Sequence, residues 1–217
     1  MLKKAKEAER KMTLTWYGHS CFKLESAQGS VVFDPYEPGY VPGLALPEGL
    51  SADAVICSHA HGDHGYAAGV KLTGREAGFD VERVETFHDE AQGAKRGRNT
   101  VSIVTAEGLR IVHMGDIGHM PDARQCAALM DADVVMIPVG GYYTINARTA
   151  WDIVRAIHPR TVIPMHYRGA DFGFDVLAGV EEFIALADNV RRFDTNVLTL
   201  PMEDTPVTAV LRCPVVR

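Results

Sequence analysis

Four strand-like runs in this chain end on a histidine or an aspartate: DAVICSH (53–59), VERVETFH (81–88), LRIVHMGD (109–116) and TVIPMH (161–166). A strand that crosses a core and stops on such a side chain delivers it to the rim of a sheet. Four of them require a fold in which strand ends meet, and that points to a site at one sheet edge. The first run opens into SHAHGDHG (58–65), which holds His59, His61, Asp63 and His64 within six positions. Alternate residues of an extended segment face one side, so His59, His61 and Asp63 converge if the strand stays extended to its end. His64 then turns in from the next position.

Imidazole and carboxylate are ordinary ligands of zinc and other first-row cations. One closed tetrahedral site cannot use all four residues well. His59 and His61 sit together, whereas Asp63 with His64 faces a neighbouring point. The pattern predicts two metals, with further ligands from His88, Asp116 and His166 at the other strand ends. In isolation His88 or His166 would read as an edge histidine satisfied by a hydrogen bond; beside the 58–65 cluster, neither stands in isolation.

The order of elements points to one α/β domain of two packed sheets with helices outside. Short strands are expected at 13–18, 20–25 and 30–35, followed by a Pro- and Gly-rich loop. After the runs already named, helices are expected at 121–132, with Pro121 in the first turn, at 146–157 and at 175–188, with Asp175 as N-cap. Strands are expected at 100–105 and 133–141, and two more close the chain. The domain is expected to span 12–217, because residues 1–11 are charged and carry no pattern that could pack.

The charge balance narrows the partners. A net charge of −6 and a pI near 5.8 argue against nucleic acid, which calls for a basic stripe. No apolar stretch is long enough to span a membrane, and the N-terminus lacks the apolar core of an export signal. Cys21, Cys57, Cys126 and Cys213 are widely spaced with no CxxC, so free thiols in a cytoplasmic protein are expected.

SHAHGDHG, His88, HMGD and PMHY, in this order and at strand ends, resemble the metallo-β-lactamase superfamily, and the resemblance runs from Met12 onward. WYGHS (16–20) and VFDP (32–35) are similar to its small stand-alone hydrolases, the branch of ascorbate-6-phosphate lactonase and N-acylphosphatidylethanolamine phospholipase D. The resemblance implies an αββα sandwich of two mixed sheets with a dinuclear site at one edge. It implies one metal on His59, His61 and His88, a second on Asp63, His64 and His166, and Asp116 shared. Two ions about 3.5–4 Å apart lower the pKa of a shared water toward about 7, which gives a hydroxide for attack on a carbonyl or a phosphorus. Zinc is the first expectation, with manganese, iron and nickel as alternatives.

The expected activity is hydrolysis of an ester, lactone or phosphodiester in an anionic small molecule, with Asp63, Asp116 and His19 as catalytic candidates. Iron-dependent oxidation on the same fold and nuclease activity are the alternatives, and a homo-oligomer is compatible with the sequence. Asp34 resembles a carboxylate that orients a ligand histidine; it reads equally as a turn aspartate before Pro35. Arg98, Tyr142 and Arg168 lie in loops that follow strand ends and are candidates for binding substrate, although loop arginines are more often simply solvated.

Overall fold

The computed structural model describes residues 11–202 and 205–215. The extension expected over 1–11 therefore lies, apart from Lys11, outside the described residues. The strands are β1 (Met12–Trp16), β2 (Phe22–Ser26), β3 (Gly29–Phe33), β4 (Ser51–Ala52), β5 (Ala54–Ile56), β6 (Lys71–Leu72), β7 (Asp80–Phe87), β8 (Arg98–Ala106) and β9 (Leu109–His113). Helix α1 (Ala123–Leu129), β10 (Val134–Pro138), α2 (Ala147–Ile157) and β11 (Thr161–Met165) follow, then α3 (Glu181–Ile184), β12 (Val190–Arg192), β13 (Val197–Leu200) and β14 (Val207–Val210).

Two main sheets form, with strand orders β13-β1-β2-β3-β5 and β12-β14-β11-β10-β9-β8-β7, and β4 pairs with β6 apart from them. Their inner faces share one apolar cluster, to which Leu14, Trp16 and Phe33 contribute from the first sheet and Ile103, Ile111 and Met136 from the second. β1 alternates buried and half-buried residues, the pattern of a strand covered on one face. β10 and β11 are buried at every position, as parallel strands covered on both faces must be. Helix α2 covers the second sheet with Ala150, Ile153, Val154 and Ile157 buried at helical spacing. No helix among the described residues is long and apolar enough to cross a membrane.

The pairing directions decide where the strand ends fall. β9 runs parallel to β10, and β10 parallel to β11. β7 is antiparallel to β8 and β8 to β9, so β7 points the same way as β9. The C-terminal ends of β7, β9, β10 and β11 therefore share one edge.

Two sequence expectations change. The helix expected over 175–188 shrinks to Glu181–Ile184, and its N-cap is Val180 rather than Asp175. Residues 175–180 instead wrap Arg168, whose amide donates to Ala178 O at 3.1 Å and whose Nε donates to Leu177 O at 2.6 Å. Carbonyls recruited by a tertiary partner are lost to a helix, and Gly179 weakens the helical alternative further. The first helix is capped by Asp122, which accepts from Gln125 N while Gln125 Oε1 accepts from Asp122 N. Pro121 thus precedes the cap instead of sitting in the first turn.

Candidate metal centre

β5 stops at Ile56, and the ligand-rich segment turns at once. His64 N and Gly65 N both donate to His61 O, at 2.9 and 2.7 Å. The segment is not extended, so His59, His61 and Asp63 do not share a face as an extended strand end would have them. The turn sets His59 and His61 beside His88 and Asp63 beside His19, while the His64 ring stays 4.4 Å from that of His59. Potential ligand atoms gather within 4.8 Å of one another in three overlapping sets: His59, His61 and His88; His19, Asp63, His64 and His166; and His59, His64 and Asp116.

Asp116 stands between them. Its Oδ2 lies 3.1 Å from His64 Nε2, 3.2 Å from His88 Nε2 and 3.2 Å from His166 Nε2. Yet His59 Nε2, His64 Nε2, His166 Nε2 and Asp116 Oδ1 are buried without a hydrogen-bond partner. Short separation without hydrogen-bond alignment means that these atoms converge on common points rather than pair with each other. An unpaired buried polar atom is costly, and a divalent cation is the partner that this all-N/O donor set suits.

Buried polar residues hold the cluster in shape. Asp34 Oδ2 lies 2.7 Å from His64 Nδ1 and accepts the Ser58 hydroxyl at 2.6 Å, while Oδ1 accepts Ser58 N at 2.7 Å. Ser58 Oγ is 2.9 Å from His59 Nδ1, so one carboxylate reaches both halves of the cluster. Asn99 accepts the Asp116 amide at 2.8 Å and donates to Thr86 Oγ1 and Met114 O at 2.8 and 3.0 Å. Sequence reasoning missed Ser58 and Asn99. For Asn99, near the start of a strand that also carries Arg98, Thr100, Ser102 and Thr105, the sequence held no distinguishing signal.

His19 arrives from the first sheet on the β1–β2 turn, in a left-handed conformation with φ 50°. Its ring packs 4.0 Å from that of His166, and its Nε2 lies 3.3 Å from Asp63 Oδ2. Its carbonyl accepts from His166 N and Trp16 Nε1. The other histidines serve the fold. His113 Nε2 lies 2.8 Å from Ser20 O, and its ring stacks on Phe33. His119 Nε2 accepts from Phe87 N, and His158 ends α2 in a left-handed cap.

Burial and mutual charge set the protonation states. Burial opposes charge on Asp116, but His166 and His64 outweigh it and hold the carboxyl well below its usual range. Asp63 is likewise depressed: burial is overcome by His19 and His64. Burial, aided by His64, lowers His59 to about 3. Burial, aided by His166, lowers His19 to about 4. Burial also disfavours charge on His64, but Asp116 and Asp34 prevail and raise it. Ionised carboxylates and neutral imidazoles are the forms that bind metal.

The sequence candidates for substrate contact are placed differently from one another. Arg98 opens β8 as an exposed residue opposite Phe87. Arg168 is tied to Leu177 O, as described above. Tyr142 is 65% exposed, with its ring 4.8 Å from that of Tyr143.

Two sheets with a His/Asp cluster at shared strand ends define a metallo-β-lactamase-type sandwich. Comparison with known proteins agrees. A family profile described as a beta-lactamase superfamily domain matches residues 13–166, and the chain belongs to that family. A UPF0173 metal-dependent hydrolase from Thermoplasma acidophilum is 28% identical over 213 residues, which cover 84% of this chain and 93% of that one. A structure from Thermotoga maritima, assigned as a Zn-dependent hydrolase of the metallo-β-lactamase superfamily, superposes with a TM-score of 0.72 at 31% identity, covering 93% of this chain and all of the other. Igni18, a metallo hydrolase from Ignicoccus hospitalis, shares the fold at 21% identity, with a TM-score of 0.66 over 89% of this chain and all of its own. The protein is a metal-dependent hydrolase of the metallo-β-lactamase superfamily.

Proposed function

We propose that this hydrolase uses a dinuclear centre to cleave an ester, lactone or phosphodiester in an anionic small molecule. The position of Asp116 Oδ2, within 3.2 Å of nitrogens from both halves of the cluster, carries this reading. His59, His61 and His88 would hold one cation and Asp63, His64 and His166 the other, with Asp116 serving both. Two divalent cations, zinc first, with manganese, iron and nickel also admitted by the donor set, would supply Lewis acidity and a water with its pKa brought toward about 7.

The chain's own residues orient the reaction and move the proton. Asp63 and His19, whose Oδ2 and Nε2 lie 3.3 Å apart, would relay the proton released on attack toward the leaving oxygen, neither holding it at rest. Asp34 and Asn99 hold His64 and Asp116 still, so no reorganisation is needed as charge develops. Lys95, Arg96 and Arg98 lie in or at the end of the loop that follows His88, and this supports an anionic substrate. Metal content by mass spectrometry, followed by a hydrolysis screen across esters, lactones and phosphodiesters, tests the proposal. One ion per chain in metal-replete protein, or no turnover in any class, would overturn it.

A further inference from the structure

The side chains around the candidate metal cluster are aromatic on one side and end at a cation. Phe174, half-buried, lies in the loop after β11 with its ring 5.6 Å from His19. Tyr40 and Tyr143 flank it, with centroids 6.4 and 6.0 Å from its own and both contacts edge-on. Arg96 places its guanidinium 5.7 Å from the Tyr143 ring. A single chain of contacts thus runs from the floor of the site through Phe174 and Tyr143 to a positive charge.

Two devices build this rim. Tyr40 packs over the ligand-bearing turn at Gly62, where any Cβ would collide with the tyrosine ring. Asp89, buried directly after His88, accepts four amides, from Ala91, Gly93, Lys95 and Arg96. That clamp fixes the loop and sets Arg96 against Tyr143. Tyr40 nevertheless remains 46% exposed, and Phe174 and Tyr143 are only partly covered. Large aromatic side chains left open beside the candidate site present faces and edges that a flat apolar group can pack against.

We infer that the Tyr40–Phe174–Tyr143 wall, ending at Arg96, selects substrates that carry a flat aryl or similarly planar apolar body next to an anionic group. This rests on the proposed function for the position of the reacting centre. The apolar body packs on Phe174 and Tyr143, and Arg96 meets the anion. Among the sequence candidates Tyr142 adjoins this wall, but Tyr143 touches both Phe174 and Arg96.

Calorimetric titration of the metal-loaded full chain with phenylphosphonate and methylphosphonate tests the inference, because the two share a head group and differ in the aryl body. Phenylphosphonate is expected to bind about tenfold tighter, the scale of one good aromatic contact together with the apolar area it covers. Tyr143→Ala and Phe174→Ala should each cut that preference to about threefold or less at unchanged metal content. Arg96→Ala should weaken both ligands. Tyr143→Ala, on a surface loop, carries the test if Phe174→Ala fails to fold. Equal affinities, binding of neither ligand, or a preference that survives Tyr143→Ala would overturn the inference. Hydrolysis without aryl preference sinks the wall alone. Aryl preference in binding without hydrolysis of any ester, lactone or phosphodiester sinks the proposed function and leaves the wall standing.

Discussion

Asp34 Oδ2 lies 2.7 Å from His64 Nδ1, and both side chains are sealed from solvent. The contact fixes the imidazole tautomer and turns Nε2 toward Asp116. Asp34 itself stays ionised. Burial opposes its charge, but His113, His64 and the Ser58 hydrogen bond outweigh it.

Asp34→Asn should therefore weaken metal binding about 10–100-fold, the usual effect of losing a carboxylate behind a ligand histidine. Competition against a chromogenic chelator measures this, and an affinity equal to the parent's would show that the pair serves folding alone.

Asp116→Ala should lower the occupancy of both metal positions together, whereas His166→Ala should mainly empty one. The difference follows from Asp116 Oδ2 facing nitrogens of both donor sets while His166 belongs to one. Metal counting on purified variants distinguishes them, and equal losses in both variants would contradict a shared carboxylate.

Asn99→Ala should destabilise the protein by about 1–3 kcal/mol, since it strands buried polar partners at Thr86, Met114 and Asp116. Metal occupancy should fall as well, because the Asp116 backbone loses its anchor. Urea denaturation midpoints together with metal content test both halves, and a midpoint within error of the parent's would refute the first.

The metal-stripped protein should lose stability as pH falls from 6.5 toward 4. Burial lowers His19 from 6.5 to about 4 and His59 to about 3. Over that window the unfolded chain binds protons that the folded chain refuses, so each group contributes a slope of up to about 1.4 kcal/mol per pH unit. His113, also lowered by burial, adds to this. His64 acts in the opposite sense, since its raised value stabilises below 6.5 and that contribution fades as pH rises through the folded value. Below 6.5 the His64 contribution is already complete and adds no slope, and the lowered carboxyls of Asp34, Asp63 and Asp116 act in the same sense as the lowered histidines, so the sign is set. Stability that is flat or rising on acidification would contradict it.

Much of the site was legible before any fold was known. Residue types able to hold a metal are few; His59, His88, Asp116 and His166 are conspicuous where they close strand-like runs, and His61, Asp63 and His64 crowd the turn after the first of them. β10 and β11 were legible as strands, but that they are parallel and buried on both faces emerged only with the sheet.

What only the tertiary structure decided are relations between segments far apart in the chain. The turn held by His61 O separates His59 from Asp63, and local sequence does not reveal it because an extended continuation is just as compatible with those residues. Asn99 acquires its role only when β8 and β9 pair and bring Asp116 beside it. Arg168 is taken up by Leu177 O, and Arg96 instead comes to face Tyr143 across loops from two different strands. A residue's type states which bonds it can make. Which partner reaches it first is set by sheet pairing and packing, and those depend on the whole chain.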